Sequence, residues 1–323
     1  MDQLLNSIPQ KVFYQCQTPL NATNISIIMK TLKVKFLYLS LLLVVMMDFT
    51  STECNAQAFN KQEFNDSIKK LPYFTLHKDI YFITGVPTNK EINSSTSNAK
   101  YQISFKKLLT KDLMPWDSYL FITYSQKAFW DIYKDSYPFE EINFNPTIGL
   151  GKAIFGKDDR LKGIATLAFE HESNGRDSIF SRSWNRISLY YSTKLAKNTD
   201  ASLKVWIPFG YRTHHTKSGY PTGNPELLEY VGLGEFNLSR EFIRDKLSLR
   251  LTLRKGLNLD AKGMIRSRIY YNPFKKNKSS QYIMLEWYLG QAESMIDYEA
   301  SRSMVRIGYV IKSDEFNWFR GKR

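Results

Sequence analysis

Among the four histidines of the chain, His171 stands two positions before a serine, Ser173. A serine hydroxyl becomes a nucleophile when an imidazole takes its proton, and a third polar group must hold the ring in the right tautomer. Asn185, a short way downstream, carries an amide suited to that third place. An amide orients an imidazole as a carboxylate does, but it brings no negative charge. The imidazolium formed during acyl transfer then needs help from elsewhere, and a cation beside the developing oxyanion is one solution. The other histidines offer less: His214 and His215 share a polar loop, and His77 begins a strand candidate with no evident partner.

Rival chemistries fail on spacing. His171-Glu172 opens like the helical zinc-protease motif, but Gly175 stands where the second histidine is required. No Gly-x-Ser-x-Gly elbow occurs, so the α/β-hydrolase arrangement is excluded. Gly149-Leu150-Gly151 is too short for a phosphate loop. His-x-Ser pairs are common, and spacing alone leaves both a catalytic triad and a structural rim open.

The flanking residues say how the three are carried. Leu161, Gly163, Ala165, Leu167 and Phe169 occupy alternate positions, and continuing by twos puts His171 and Ser173 on the same apolar face. Asn185, Ile187, Leu189 and Tyr191 share a face in the same way. A hairpin of strands 161–170 and 185–194 therefore points all three polar side chains outward with the apolar ones. Polar groups on an apolar rim are costly unless they work.

The same alternation recurs along the chain. Leu247-Ser248-Leu249-Arg250-Leu251-Thr252-Leu253-Arg254 is strictly period two, and segments 203–209 and 305–311 repeat it. Weaker segments lie at 78–86, 100–108, 117–125, 146–154, 228–236, 263–271 and 281–290. Most approach the ~9–11 residues that a tilted strand needs to cross a bilayer. Hydrophobic content is only 43% while aromatic content is 15%, the balance of an apolar wall around a polar lumen. The expectation is an all-β fold, an antiparallel transmembrane β-barrel of about twelve strands. A soluble β-sandwich is the competing fold. The strand number, an export signal and aromatic residues at strand ends (Tyr190, Tyr191, Tyr270, Tyr271, Trp287, Tyr288) favour the barrel.

The export signal is read at 29–58: a basic start from Met29, an apolar core from Phe36 to Met47, and small residues near Ala56 and Ala58. Residues 1–28 are expected to be an upstream extension from a misassigned start. Then follow an N-terminal periplasmic segment at 59–76, the barrel at 77–312 with its catalytic hairpin at 161–194, and a C-terminal tail at 313–323. Cys16 and Cys54 precede the expected mature chain, so neither disulfide nor thiol chemistry is expected. The net charge of +14 is spread rather than gathered in a stripe. It is assigned to Lys-rich loops and a polar lumen, not to nucleic-acid binding.

His171-x-Ser173-Asn174-Gly175-Arg176, followed by Ser181-Arg182-Ser183-Trp184-Asn185-Arg186, resembles the signature of the outer-membrane phospholipase A family of Gram-negative bacteria. Further likeness lies in Pro72-Tyr73-Phe74-Thr75-Leu76, Tyr124-Ser125-Gln126 with Trp130, Pro138-Phe139 with Asn143 and Pro146, and Glu293-Ser294-Met295-Ile296-Asp297-Tyr298. The resemblance implies a twelve-stranded outer-membrane barrel that hydrolyses acyl ester bonds of glycerophospholipids, with Ser173 as nucleophile, His171 as base and Asn185 as orienting group. It also implies Ca2+, held by the Ser181 hydroxyl, the Arg176 carbonyl and Ser136 contributed across a homodimer, with Gln126 buried at the dimer interface. Residues 176–180 depart in detail from the family loop, and the chain continues past Phe316 to Arg323. A non-catalytic barrel, either a porin or a pseudoenzyme that keeps the motif, is the alternative. A soluble exported esterase is the third reading.

Overall fold

The computed structural model describes residues 59–111, 114–211, 214–215, 221–274 and 280–313. The expected upstream extension (1–28), the expected export signal (29–58) and all of the expected tail but Ser313 lie outside the described residues.

Twelve strands make the wall: β1 (Ile80–Pro87), β2 (Asn98–Leu108), β3 (Ser118–Trp130), β4 (Phe139–Phe155), β5 (Leu161–Ser173), β6 (Ser183–Ala196), β7 (Thr199–Phe209), β8 (Gly234–Ile243), β9 (Leu247–Lys255), β10 (Gly263–Tyr271), β11 (Gln281–Gly290) and β12 (Arg302–Ile311). Each pairs antiparallel with the next, and β12 returns to β1 with Ile311 opposite Ile80, which closes the ring. Closure leaves no wall strand with unpaired N–H and C=O groups, the condition for crossing hydrocarbon. A sandwich would keep its edges. The expected barrel is thus the observed fold.

Outward positions are apolar: Leu167, Phe169, Ile187, Leu189, Leu203, Val205 and Ile207 stand exposed. Inward positions carry charge in pairs. Lys100 bridges Glu286 and Glu293, Arg306 meets Glu293 at 2.7 Å, and Arg268 meets Glu286 at 2.8 Å, all buried. A second group joins Glu170 to Arg186 at 2.7 Å and to Lys204 at 2.5 Å. Charges buried this deeply persist because each has its partner, and the lumen at their level is packed rather than open. Two of the aromatics at strand ends turn into the lumen: Tyr270 and Tyr288 point inward, and their hydroxyls donate to Asp79 and to the Gln291 carbonyl. Tyr191 and Tyr271 do face outward.

Three departures from the sequence expectations have local causes. Strand 228–236 starts later, at Gly234, because α2 (Leu227–Val231) occupies the preceding residues and ends at Gly232, whose φ is 61°. β4 begins upstream of Pro146 and runs through it, and β3 continues to Trp130. The third is a helix before the barrel, α1 (Lys61–Lys70). Asn60 and Glu63 form its capping box, and Phe64 and Ile68, one turn apart, pack on Leu108, Tyr119, Phe121, Ala153, Leu161 and Ile164.

The three shortest connections, 156–160, 197–198 and 244–246, all lie at one end of the barrel, whereas 131–138, 174–182, 210–233 and 291–301 lie at the other. That asymmetry is the habit of outer-membrane barrels, whose long loops face outside. The 291–301 loop is pinned by Glu141, which accepts from Ser294 Oγ at 2.6 Å and from the Met295 and Ile296 amides, both at 2.8 Å.

Candidate active site

β5 and β6 are consecutive and antiparallel, and their register sets His171 opposite Asn185 and Ser173 opposite Ser183. His171 Nδ1 lies 2.8 Å from Asn185 Oδ1. An amide oxygen only accepts, so Nδ1 carries the proton and Nε2 is left as the basic nitrogen. Ser173 stands two residues along the same face, at about 7 Å as strand geometry spaces such side chains, and only His171 and Asn185 are in hydrogen-bond contact among the three described residues.

The surroundings of the pair are apolar. Phe169 on β5 and Phe209 on β7 have ring centroids 5.8 Å apart with their planes tilted by 45°, and Phe144 on β4 is the residue opposite Ser173. Gly210 follows Phe209 with φ at 61°, and a Cβ there would come within 2.8 Å of Asn185 Nδ2. Only glycine leaves room for the amide at that bend.

The hairpin is fastened from its inner face. Glu170 accepts from Arg186 and Ser188, and Glu172 accepts from Arg186 Nη1 at 3.0 Å and from Trp184 Nε1 at 3.1 Å. The His171 carbonyl accepts from Asn145 Nδ2 at 2.7 Å, tying β5 to β4. Removing one member of such a buried charge pair costs about 3–5 kcal/mol.

The remaining residues singled out in the sequence sit around this hairpin. Ser181 and Arg176 lie in the connecting loop 174–182, and the Arg176 guanidinium turns away to the Phe139 and Glu140 carbonyls. Ser136 is on the β3–β4 turn at the same end of the barrel, exposed, with φ at 62°. No contact joins it to Ser181 or Arg176 within the chain among the described residues. Gln126 faces outward on β3. It is opposite Phe144, which is itself opposite Ser173, so Gln126 and Ser173 share one level two strands apart, roughly 10 Å. Its amide accepts from the Tyr124 hydroxyl at 3.1 Å and donates to that of Tyr101 at 3.4 Å.

Among the described residues no three His, Cys, Asp or Glu side chains gather as metal ligands. The Ser181 hydroxyl and the Arg176 carbonyl are neutral oxygen donors, the hard type that calcium takes. His77 stays apart from the hairpin. It is half-buried, and the loss of water around it together with Lys78 holds its imidazole well below the ordinary range, hence neutral. His214 and His215 form a two-residue strand against Pro221–Thr222.

Sequence reasoning did not assign roles to Asn174, Gly210 and Asn224. Asn174 lies inside the quoted motif. Gly210 and Asn224 carried no signal, because what they touch is far along the chain.

The chain matches the family model described as phospholipase A1 over residues 52–311. The phospholipase A1 of Salmonella typhimurium is 26% identical over 271 residues, covering 77% of this chain and 84% of that protein. The Escherichia coli K12 phospholipase A1 is 26% identical over 232 residues, 68% of this chain and 71% of its own. A phospholipase A1 relative from Neisseria meningitidis serogroup B is 29% identical over 222 residues, and the chain spans only 54% of its length. Of solved structures, outer membrane phospholipase A from Escherichia coli superposes with a TM-score of 0.62 at 20% identity, covering 77% of this chain and 97% of that one. The Salmonella typhi outer membrane phospholipase, a dimer with bound calcium, superposes at 0.63 with 22% identity and the same coverage. These superpositions bear on the fold.

Proposed function

The chain belongs to the phospholipase A1 family, and we propose that it hydrolyses acyl ester bonds of glycerophospholipids in the outer membrane of a Gram-negative bacterium, using Ser173, His171 and Asn185. The observation that carries this is the 2.8 Å contact of His171 with Asn185 on the lipid-facing wall, with Ser173 two residues along the same face. A triad there meets its substrate without extracting it from the bilayer.

His171 Nε2 takes the Ser173 hydroxyl proton as Oγ attacks the ester carbonyl. The same nitrogen then delivers that proton to the departing glycerol oxygen, and Asn185 keeps Nδ1 protonated throughout. Water, deprotonated in turn by His171, releases the fatty acid from Ser173. In the following loop the Asn174 N–H donates to Arg182 O at 3.0 Å and the Arg176 N–H to Asn174 Oδ1 at 3.2 Å. Gly175 N–H, between them, is the backbone donor that this loop offers to the oxyanion.

Calcium would add the positive charge that the neutral Asn185 does not supply. The Ser181 hydroxyl and Arg176 carbonyl would hold it, with Ser136 of the partner subunit completing the site in a homodimer. Two neutral oxygens from one chain are few for an ion that takes six to eight, which supports a site finished by a second copy and by water. The Salmonella typhi neighbour, a calcium-bound dimer, supports the same reading. So does Gln126, an amide on the apolar wall at the level of Ser173. The packed lumen speaks against the porin alternative.

The test is Ser173→Ala on micellar phospholipid with calcium, and the parent with and without a chelator. Activity is expected to vanish in the variant and to fall with the chelator. A variant as active as the parent, with heat-modifiable gel mobility intact, overturns the assignment of the nucleophile.

A further inference from the structure

We propose that two buried asparagines, Asn174 and Asn224, are positioning residues that hold the 174–182 loop in its calcium-binding shape; the inference rests on the calcium reading above. Neither side chain faces the lipid, and neither touches His171 or Asn185 in the structure.

Asn174 acts as the hub of the loop. It is 3% exposed. Its Oδ1 accepts from the Arg176 amide at 3.2 Å and from the Arg182 amide at 3.0 Å, while its Nδ2 donates to the Phe180 carbonyl at 2.8 Å. Its own amide donates to Arg182 O at 3.0 Å. One side chain thus closes the loop on itself, joining the residue whose carbonyl would meet the cation (Arg176) to the neighbours of the residue whose hydroxyl would (Ser181). The loop needs this closure because Gly175 and Ser178 both take positive φ, 63° and 52°, and Ser178 adopts that conformation at a cost.

Asn224 holds the loop from the other side. It is fully buried, and its Oδ1 accepts from the Ser183 amide at 3.2 Å. Next to it, the Gly223 amide donates to the Ser181 carbonyl at 3.4 Å. The Asn224 Nδ2 has no partner among the described residues although it is buried. An unmet donor is a cost that an apolar residue at this position would avoid, so the acceptor function of Asn224 is what the position retains. Asn174 and Asn224 flank Ser181, and through the strand end at Ser183 they also fix the start of β6, which carries Asn185.

The experiment compares the full chain with Asn174→Ala, Asn174→Asp and Asn224→Ala in detergent micelles. It measures calcium binding by titration calorimetry and ester hydrolysis as a function of calcium concentration. Heat-modifiable mobility reports that each barrel is folded. Asn174→Ala is expected to raise half-saturating calcium at least tenfold, and Asn224→Ala at least threefold, with kcat at saturating calcium within threefold of the parent. Asn174→Asp, which still accepts from both amides, is expected to recover part of the affinity and serves where the alanine variant does not fold. Half-saturation within twofold of the parent in Asn174→Ala, or a loss of kcat that calcium does not restore, overturns the proposal. A parent that itself neither binds calcium nor responds to it overturns instead the calcium reading on which the proposal stands.

Discussion

The His171–Asn185 contact makes the sharpest prediction, through Asn185→Ala. In the ground state the substitution removes one hydrogen bond on the outer wall. In the proposed mechanism the same bond serves an imidazolium during proton transfer, and a hydrogen bond to a charged group is worth about 1.5–3 kcal/mol. At 1.36 kcal/mol per factor of ten, kcat falls by roughly 10- to 150-fold. The loss is bounded because the ring keeps its place on the strand, beside Phe169 and Phe209. Stability should move the other way or not at all, since the variant takes a polar group off a lipid-facing surface. The assay is ester hydrolysis in micelles at saturating calcium, beside the thermal transition of the barrel in the same detergent. A fall of less than threefold refutes the argument. So does a loss as complete as that of Ser173→Ala, or one accompanied by a lower transition temperature.

Three further outcomes are expected. Gly210→Ala should lower activity about tenfold with the barrel still folded, because the added Cβ, at a position with φ of 61°, meets the Asn185 amide; unchanged hydrolysis would count against Gly210 as the space Asn185 needs. Glu141→Ala should free the 291–301 loop, leaving three donors without their acceptor at a cost of about 3 kcal/mol or more; hydrogen exchange at the Met295 and Ile296 amides should quicken over a hundredfold, and amides as protected as the parent's would refute it. Asp79, just before β1, is opposed in its ionisation by burial, but Arg250 and Arg268 outweigh this and draw its carboxyl down to about 2. A depressed carboxylate contributes stability that is whole above its unfolded value near ~4 and lost as pH falls through about 2. Asp79→Asn should remove about 2 kcal/mol of the acid sensitivity seen in urea midpoints between pH 5 and pH 2, and an identical slope in the variant would refute it.

What could be read before the structure followed from local period. Alternation by twos carried Leu161 through Ser173 along one face and set Asn185 on the matching face, because strand side chains alternate whatever the partner strand is. The same rule placed Leu247 to Arg254 without ambiguity. It misjudged 228–236, where a five-residue helix is too short to show its own period, and it passed over α1, whose apolar signal is two residues, Phe64 and Ile68. It placed Tyr270 and Tyr288 near strand ends but did not give their inward facing, because an aromatic serves equally well at a membrane interface and in a lumen with a hydroxyl partner. The contacts of Asp79 with Arg250 and of Glu141 with Ser294 cross the barrel between residues far apart in the chain. No pattern of neighbours encodes them. For the candidate site, strand parity supplied the facing of His171 and Asn185, while the roles proposed for Ser173, Ser181 and Arg176 came from the family motif. Asn224 and Gly210 emerged only from the fold.

The outward facing of His171 and Asn185 has a kinetic consequence. A site on the outer wall draws its substrate by lateral diffusion within one leaflet, so the quantity that saturates it is a mole fraction of lipid rather than a bulk concentration. Diluting phospholipid with inert detergent at constant total lipid should then slow the reaction as strongly as removing enzyme, while adding more micelles of unchanged composition should leave the rate per enzyme almost constant. For such a barrel, turnover is governed by what the surrounding sheet of lipid contains.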